Sequence, residues 1–332
     1  MATTTAQSSL MPSSFYMGAA VGGFSVLVVW GGAALLTTKS HSAAGTKSGR
    51  SEDHERSTTS SAGGGAAAYE TRKAVDEYLQ FHFGSASDLL PYSQGPKGAL
   101  NFTGRLAALC SKYASSRNDA LDVGCAVGGA SFELAKTFKQ VIGIDYSHAF
   151  VEAAQDMQQS GSREYEAALE GDIKATYTAT VPQGIHRDRV LFMQGDACAL
   201  PSALPQFDVV LAANLLCRLP DPMMFITQLP ALVRPGGVVV LVSPYSWLAA
   251  WTPKKKWFGG HEAQDGTPLR SADAVAKLML GREFELLHQE DMPFLIREHV
   301  RKFQWGCSHA CVWRRKKQSH TSDQDVTATI SI

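Results

Sequence analysis

The sequence predicts an α/β fold on a mostly parallel sheet, and three observations carry that prediction. Short apolar, strand-like runs alternate with helical patterns between Ala120 and Leu280, the signature of βαβ units. The first of these runs ends in a turn of small residues, Gly124 to Gly128, that opens a helical pattern. Beyond Glu283 the alternation stops, and two strand-like runs follow without a helix between them, which predicts an antiparallel pair closing one edge.

The parallel strands are expected at Ala120–Val123, Val141–Asp145, Val190–Met193, Phe207–Ala212 and Val238–Ser243. Helices are expected at Gly128–Phe138, His148–Gln159, Pro222–Val233 and Ser271–Leu280. The antiparallel edge is assigned to Glu283–Glu290 and Gln304–Arg314, making a seven-stranded sheet. Upstream, Tyr69–Phe83 and Phe102–Tyr113 carry apolar and aromatic residues at helical spacing.

The N-terminal region is of another kind. Phe15 to Leu36 is a run of 22 residues without a charge. As a helix it spans about 33 Å, close to the hydrocarbon thickness of a bilayer. The expectation is a single transmembrane helix over residues 15–36, after a short tail at 1–14. Lys39, Lys47 and Arg50 follow it, so the positive-inside rule places the larger domain in the cytosol. A cleaved or organelle-targeting segment is the alternative, although residues 1–14 hold no Lys or Arg. Residues 37–68, rich in Ser, Thr, Gly and Ala, read as a flexible linker. The folded domain is expected over residues 69–316, followed by a polar tail at 317–332.

Lys plus Arg and Asp plus Glu both number 31, so no whole-chain field favours nucleic acid, and no nucleic-acid partner is expected. The 6 cysteines lie mostly in apolar contexts and read as reduced core residues. Cys307-x-His309-x-Cys311 has the residue types of a metal site. On a strand, however, its members fall about 7 Å apart, too far for one tetrahedral ion, and no metal is expected.

Three acids follow or end three successive strands. The turn reads D-x-G-x-A-x-G, with Asp122, Gly124, Ala126 and Gly128, which departs from the dinucleotide fingerprint. Small residues let backbone approach a ligand, and the following helix start is expected to offer N–H groups. Asp145 ends the next strand, where a carboxylate can accept from two ribose hydroxyls. Asp196, in Gly195-Asp196-Ala197, is placed to accept from an adenine amino group. Each acid alone is as well explained as a helix cap; three on consecutive strand ends point to a ligand at the carboxyl rim.

The ordered segments DVGCAVGG, VIGID, QGDA, FDVVLAANLLCRLPDP and LVRPGGVVVLVSP resemble the Rossmann-like class I S-adenosyl-L-methionine-dependent methyltransferases. The resemblance implies that the glycine turn cradles the methionine portion, that Asp145 holds the ribose, and that Asp196 with Ala197 and Asn214 lies near the adenosyl group. A closer resemblance extends from Tyr69 to Arg315. YETRKAVDEYLQFHFG, AANLLCRLPDP, SPYSW and FLIREHVRKFQW are similar to the methyltransferase half of ovothiol-synthesising enzymes. It implies methylation of an imidazole nitrogen of a thiolated histidine (4-mercaptohistidine, also called 5-thiohistidine). The sulfur-inserting half of those enzymes, with its His-x3-His-x-Glu iron motif, has no counterpart in this sequence.

A small zwitterionic acceptor needs a cation for its carboxylate and a group to handle a proton. Arg218 and Asn214 follow the fourth strand; Tyr245 and Trp247 follow the fifth. Arg297, His299, Arg301, Lys302 and Trp305 fall within nine residues and suggest an acceptor-site lid, with Arg297 for binding and His299 as proton relay. Tyr69 and Tyr78 share a helix that would cover the cofactor. Structural readings compete at each position: a solvated charged turn for 297–305, a helix cap for Arg218, rim packing for the aromatics. Two other functions remain compatible with the residues: methylation of another small or lipid-soluble acceptor, and a membrane-tethered scaffold that binds the cofactor without turnover.

Overall fold

A computed structural model of the chain describes residues 65–317. The transmembrane expectation at 15–36, most of the linker and the tail from 318 lie outside the described residues. Among the described residues, no helix is long and apolar enough to cross a membrane.

The folded part begins earlier than expected, with a 3-10 turn at Ala66–Glu70. The helix expected from Tyr69 is interrupted at Thr71, whose extended backbone and side chain, accepting from Ala74 N, cap α1 (Arg72–Phe83). α2 (Ala86–Leu89) and α3 (Phe102–Tyr113) complete this N-terminal layer. There follow β1 (Asp119–Val123), α4 (Gly129–Leu134), β2 (Gln140–Asp145) and α5 (His148–Ser160). β3 (Ser162–Glu170) and β4 (Ile173–Thr180) form a hairpin apart from the main sheet. The chain returns through β5 (Val190–Gln194), β6 (Phe207–Ala213), α6 (Pro222–Leu232) and β7 (Val233–Ser243). A minor pair, β8 (His261–Glu262) and β9 (Pro268–Leu269), precedes α7 (Ser271–Leu280). The last elements are β10 (Phe284–His299) and β11 (Lys302–Arg315).

The main sheet has 7 strands in the order β10-β11-β7-β6-β1-β2-β5. β7, β6, β1, β2 and β5 run parallel, while β11 is antiparallel to both its neighbours. The predicted architecture is therefore present. The strand order reverses between β1 and β6, so the crevice at their carboxyl ends is the switch point where such sheets take ligands. β1 and β6 are covered on both faces, which is why they are mostly apolar, with Asp122 and Asp208 as buried exceptions. α5 and α6 start at side-chain caps. Asp221 accepts from Met223 N with Pro222 in the first turn of α6, and Ser147 accepts from Phe150 N on α5.

The antiparallel pair is longer than expected. β11 pairs with β7 only over His309–Arg314, but with β10 from Lys302 to Arg315. Residues before His309 on β11, and their β10 partners, thus extend past the carboxyl rim as a two-stranded arm. Phe294 of the arm packs on Phe102 of α3, with ring centroids 5.5 Å apart. The β3–β4 hairpin was not anticipated: its outward residues are polar and its alternation is broken, so period-2 patterning is weak there.

Candidate active site

Parallel pairing brings the ends of β1, β2, β5, β6 and β7 to one rim. Three residues just past β1, β6 and β7 hold left-handed backbone without being glycine: Ala126 (φ 47°), Asn214 (φ 54°) and Tyr245 (φ 51°). Each such residue costs on the order of 1 kcal/mol or more, and strain of this kind gathers at functional sites. Gly124 and Gly128 share the conformation at φ 78° and 86°. A Cβ on Gly128 would lie 2.5 Å from Phe192 Cζ, so that glycine is required by packing as well as by φ.

Asp145 ends β2, and its carboxylate joins two loops. One oxygen accepts from Ala126 N at 2.9 Å, the other from Ser147 N at 2.9 Å. Two oxygens offer about four lone-pair sites, so acceptor capacity remains. Burial pushes this carboxyl up to about 6, against the pull of the Ser147 and Ala126 amides. Asp196 follows β5 and caps the next turn by accepting from Cys198 N at 2.8 Å; Ala197 beside it is buried. Asp122, though next to the loop, is 2% exposed and accepts from Ser131 Oγ of α4 at 2.6 Å. It is turned into the protein and ties β1 to α4. The helix start expected to offer N–H groups is also partly used: Gly129 N donates to His82 Nδ1 at 3.1 Å. Burial pushes the His82 imidazole down to about 3, so it stays a neutral acceptor there. The sequence carried no signal for this bond, which spans 47 residues.

The N-terminal layer closes over the rim. Ser147 Oγ donates to Tyr69 O at 3.0 Å, and the Glu70 carboxylate accepts from His148 N at 3.0 Å and Ala149 N at 3.2 Å. The Tyr69 ring lies against Phe150, Trp251 and Tyr78, with centroids 5.4, 5.0 and 5.9 Å away. Its hydroxyl is within hydrogen-bond reach of Tyr78 and Arg218. Arg218 is 8% exposed. Nη1 donates to Cys217 O and Ser246 O, both at 2.9 Å, and its guanidinium stands 5.7 Å over the Trp251 ring.

On the β7 side, Tyr245 Oη lies 3.1 Å from His309 Nδ1, and Cys311 Sγ lies 3.4 Å from His309 Nε2. His309 is level with Ser243 at the end of β7. Its neighbour Ser308 donates to Asn214 Oδ1 at 2.7 Å, joining β11 to the end of β6. Trp247 turns inward and donates from Nε1 to Ser271 Oγ at 2.9 Å.

Arg297 and His299 are not brought to this cluster. From Asp291, level with His309, to His299 is eight residues of β10, about 26 Å of extended strand. Arg297, 3% exposed, donates to Asp88 O and to Ala168 O. His299 accepts from Arg301 N at the turn. The run 297–305 is thus the tip of the arm, with Arg297 pinning it to α2 and β3. Charge and aromatics crowd there in sequence, but the register carries them onto the arm beyond the last β7 pair, His309–Ser243. The cysteines follow the same logic: Cys307 is exposed while Cys311 is buried, and among the described residues no group of three or more metal-binding side chains converges.

An adenosyl sulfonium fits this rim: a strand-end carboxylate with spare lone pairs, a loop of small residues, a second acid one strand on, and aromatic rings that suit both adenine and a cation. The fold and this donor set define a nucleoside-binding α/β domain of the group-transfer type.

A family model described as "Methyltransferase domain" matches residues 99–289. The chain belongs to that family, and its cofactor is S-adenosyl-L-methionine. It is 33% identical, over 42% of this chain and 42% of the other, to 27-O-demethylrifamycin SV methyltransferase of Amycolatopsis mediterranei. It is 27% identical, over 42% of this chain and 40% of the other, to norajmaline N-methyltransferase of Rauvolfia serpentina. The chain spans less than half the length of these two relatives. The crystal structure of magnesium protoporphyrin IX methyltransferase from Synechocystis with bound cofactor is similar at 16% identity and a TM-score of 0.40, covering 74% of this chain and 98% of the other.

Proposed function

We propose that this chain transfers the methyl group of S-adenosyl-L-methionine to a ring nitrogen of a small, carboxylate-bearing imidazole, with a thiolated histidine as the acceptor that the ovothiol-type resemblance supports. The observation that carries the reading is the presence, at one rim, of the buried Arg218 guanidinium, which donates to Ser246 O, and of the contact between His309 and Tyr245, the residue before Ser246 in the chain. A guanidinium recognises a carboxylate, and aromatic rings pack on an imidazole. The two relatives are named for methylation of small molecules, one of them at nitrogen, which supports the class of acceptor.

Asp145 would hold the ribose hydroxyls and Asp196 the adenine amino group. Gly124, Ala126 and Gly128 would let the loop lie close to the methionine portion, with Asn214 flanking. When bound, the sulfonium supplies an electrophilic methyl carbon. The protein's own part is alignment and exclusion of water. Tyr69, Tyr78, Phe150 and Trp251 enclose the rim, and the strap at Ala66–Glu70 fixes Tyr69 to the start of α5. Asp122 acts through the fold, holding α4 on β1.

A second reading, a lipid-soluble acceptor, is supported by the uncharged run Phe15–Leu36, which we also propose as a membrane anchor leaving the domain in the cytosol. The test is direct. The full-length protein is incubated with labelled cofactor and either 5-thio-L-histidine or a panel of quinone and lipid precursors, and the product is located by mass and NMR. Methyl on the thiohistidine ring supports the first reading. Methyl on sulfur, or only on a lipid-soluble acceptor, overturns it.

A further inference from the structure

We propose that His309 takes the proton that the acceptor ring sheds when one of its nitrogens is methylated. This rests on the nitrogen-methylating reading above and goes beyond it by assigning a proton acceptor that the sequence offered only within the metal-like run Cys307-x-His309-x-Cys311.

His309 is placed by three independent constraints. Its strand position pairs with Ser243 at the last residue of β7, which puts it on the rim. Its Nδ1 faces Tyr245 Oη at 3.1 Å, and Tyr245 is itself held by a left-handed backbone at φ 51°. Its flanking residue Ser308, fully buried, donates to Asn214 Oδ1 at 2.7 Å, so this stretch of β11 is bonded to the loop after β6. The imidazole is half-buried, with Cys311 Sγ 3.4 Å from its Nε2.

The chemistry follows from these contacts. In the tautomer that donates Nδ1–H to Tyr245 Oη, the ring lone pair sits on Nε2, with Cys311 Sγ 3.4 Å away. The titratable groups around it are Tyr245 and Cys311, with Cys217 behind Tyr245 and Asp291 as its cross-strand partner on β10. Burial pushes the Cys311 thiol up to about 12 and the Tyr245 phenol upward as well, so both are neutral near pH 7. Asp291 is exposed to solvent at the sheet edge, where screening weakens its hold. The two side chains that touch the ring, Tyr245 and Cys311, are therefore uncharged near neutral pH.

The step balances as follows. The acceptor nitrogen lone pair forms the N–C bond while the C–S bond breaks, its electrons returning to sulfur as a neutral thioether. The methylated ring is then cationic, and the N–H proton on its other ring nitrogen passes to His309 Nε2, leaving a neutral product and an imidazolium that returns the proton to solvent. No oxidant or metal is needed.

The test uses the full-length protein, saturating S-adenosyl-L-methionine, and two acceptor sets. One holds the nitrogen acceptors 5-thio-L-histidine, L-histidine and imidazole-4-acetate; the other holds a catechol and a thiol. His309→Gln is expected to lower kcat on whichever nitrogen acceptor the wild type uses by about 10²-fold. Cofactor affinity by calorimetry should stay unchanged, and the one-proton acid limb of kcat should disappear. Tyr245→Phe keeps the ring but removes its partner on Nδ1, and should lower kcat about 10-fold with the acid limb displaced. If wild type uses a nitrogen acceptor other than the thiohistidine, the substrate reading fails while His309 is still tested on that acceptor. His309→Gln within twofold of wild type across pH overturns the proposal. So does a loss of cofactor binding equal to the loss of rate, and so does wild-type transfer only to oxygen, only to sulfur, or to none.

Discussion

Asp145 Oδ2 accepts the backbone N–H of Ala126 at 2.9 Å, so the acid that ends β2 also fixes the strained loop after β1. One carboxylate thus sets both halves of the cofactor rim, and its removal should be felt by the cofactor more than by the fold.

Asp145→Asn keeps the size of the side chain but removes the charge. Hydrogen bonds to charged groups contribute about 1.5–3 kcal/mol, so affinity for S-adenosyl-L-methionine should fall about 10- to 100-fold by calorimetry. Burial holds this carboxyl at about 6, and the ionised form is the better acceptor. Wild-type affinity should therefore fall as pH drops through that value, and the variant should not follow. Equal affinities in the two proteins would place the ribose elsewhere.

Arg218 donates to Ser246 O and stands over Trp251 while lying near the Tyr69 hydroxyl. Arg218→Lys keeps a cation but loses the planar fork. The KM for a carboxylate-bearing acceptor should rise about 10-fold or more, with cofactor affinity within threefold. An acceptor lacking the carboxylate should show no such rise; the same rise with both would remove the assignment.

His82 supplies a pH-dependent stability term. Its folded value is lowered to about 3 from 6.5 by burial, so the unfolded chain takes up a proton there that the folded chain refuses. The stability it contributes is complete above about 6.5 and is lost as pH falls towards 3. His82→Gln offers an amide oxygen to Gly129 N without titrating. Thermal melts from pH 7.5 to 5 should show wild type losing more stability than the variant; parallel curves would contradict this.

At the opposite, amino end of the sheet, Asp208 accepts from Asn118 N and Asp119 N at 2.8 and 3.1 Å and from Arg234 Nη1 at 2.8 Å. Burial raises its carboxyl, but these partners outweigh burial and hold it below 3.8. Its contribution is thus present at neutral pH and lost as pH falls below about 4. Asp208→Ala should cost about 2–4 kcal/mol in denaturant melts, because it strands two amides and takes away one of the two carboxylates that hold Arg234. Turnover per folded molecule should not change, since the ion cluster is a strand length from the rim. A selective loss of activity would show that the two ends are coupled.

The layered α/β fold, the parallel core, the glycine turn and the strand ends that carry Asp145 and Asp196 are legible in local pattern. They follow from periodicity, backbone permissiveness and strand polarity, all written within a few residues. That Asp122 faces Ser131, that His82 caps α4, that Arg297 and His299 lie on the arm, and that His309 meets Tyr245 emerges with the folded chain alone. Each of those depends on strand register or on a contact between distant segments. A shift of one residue in pairing turns a side chain to the other face without changing the pattern that predicts the strand.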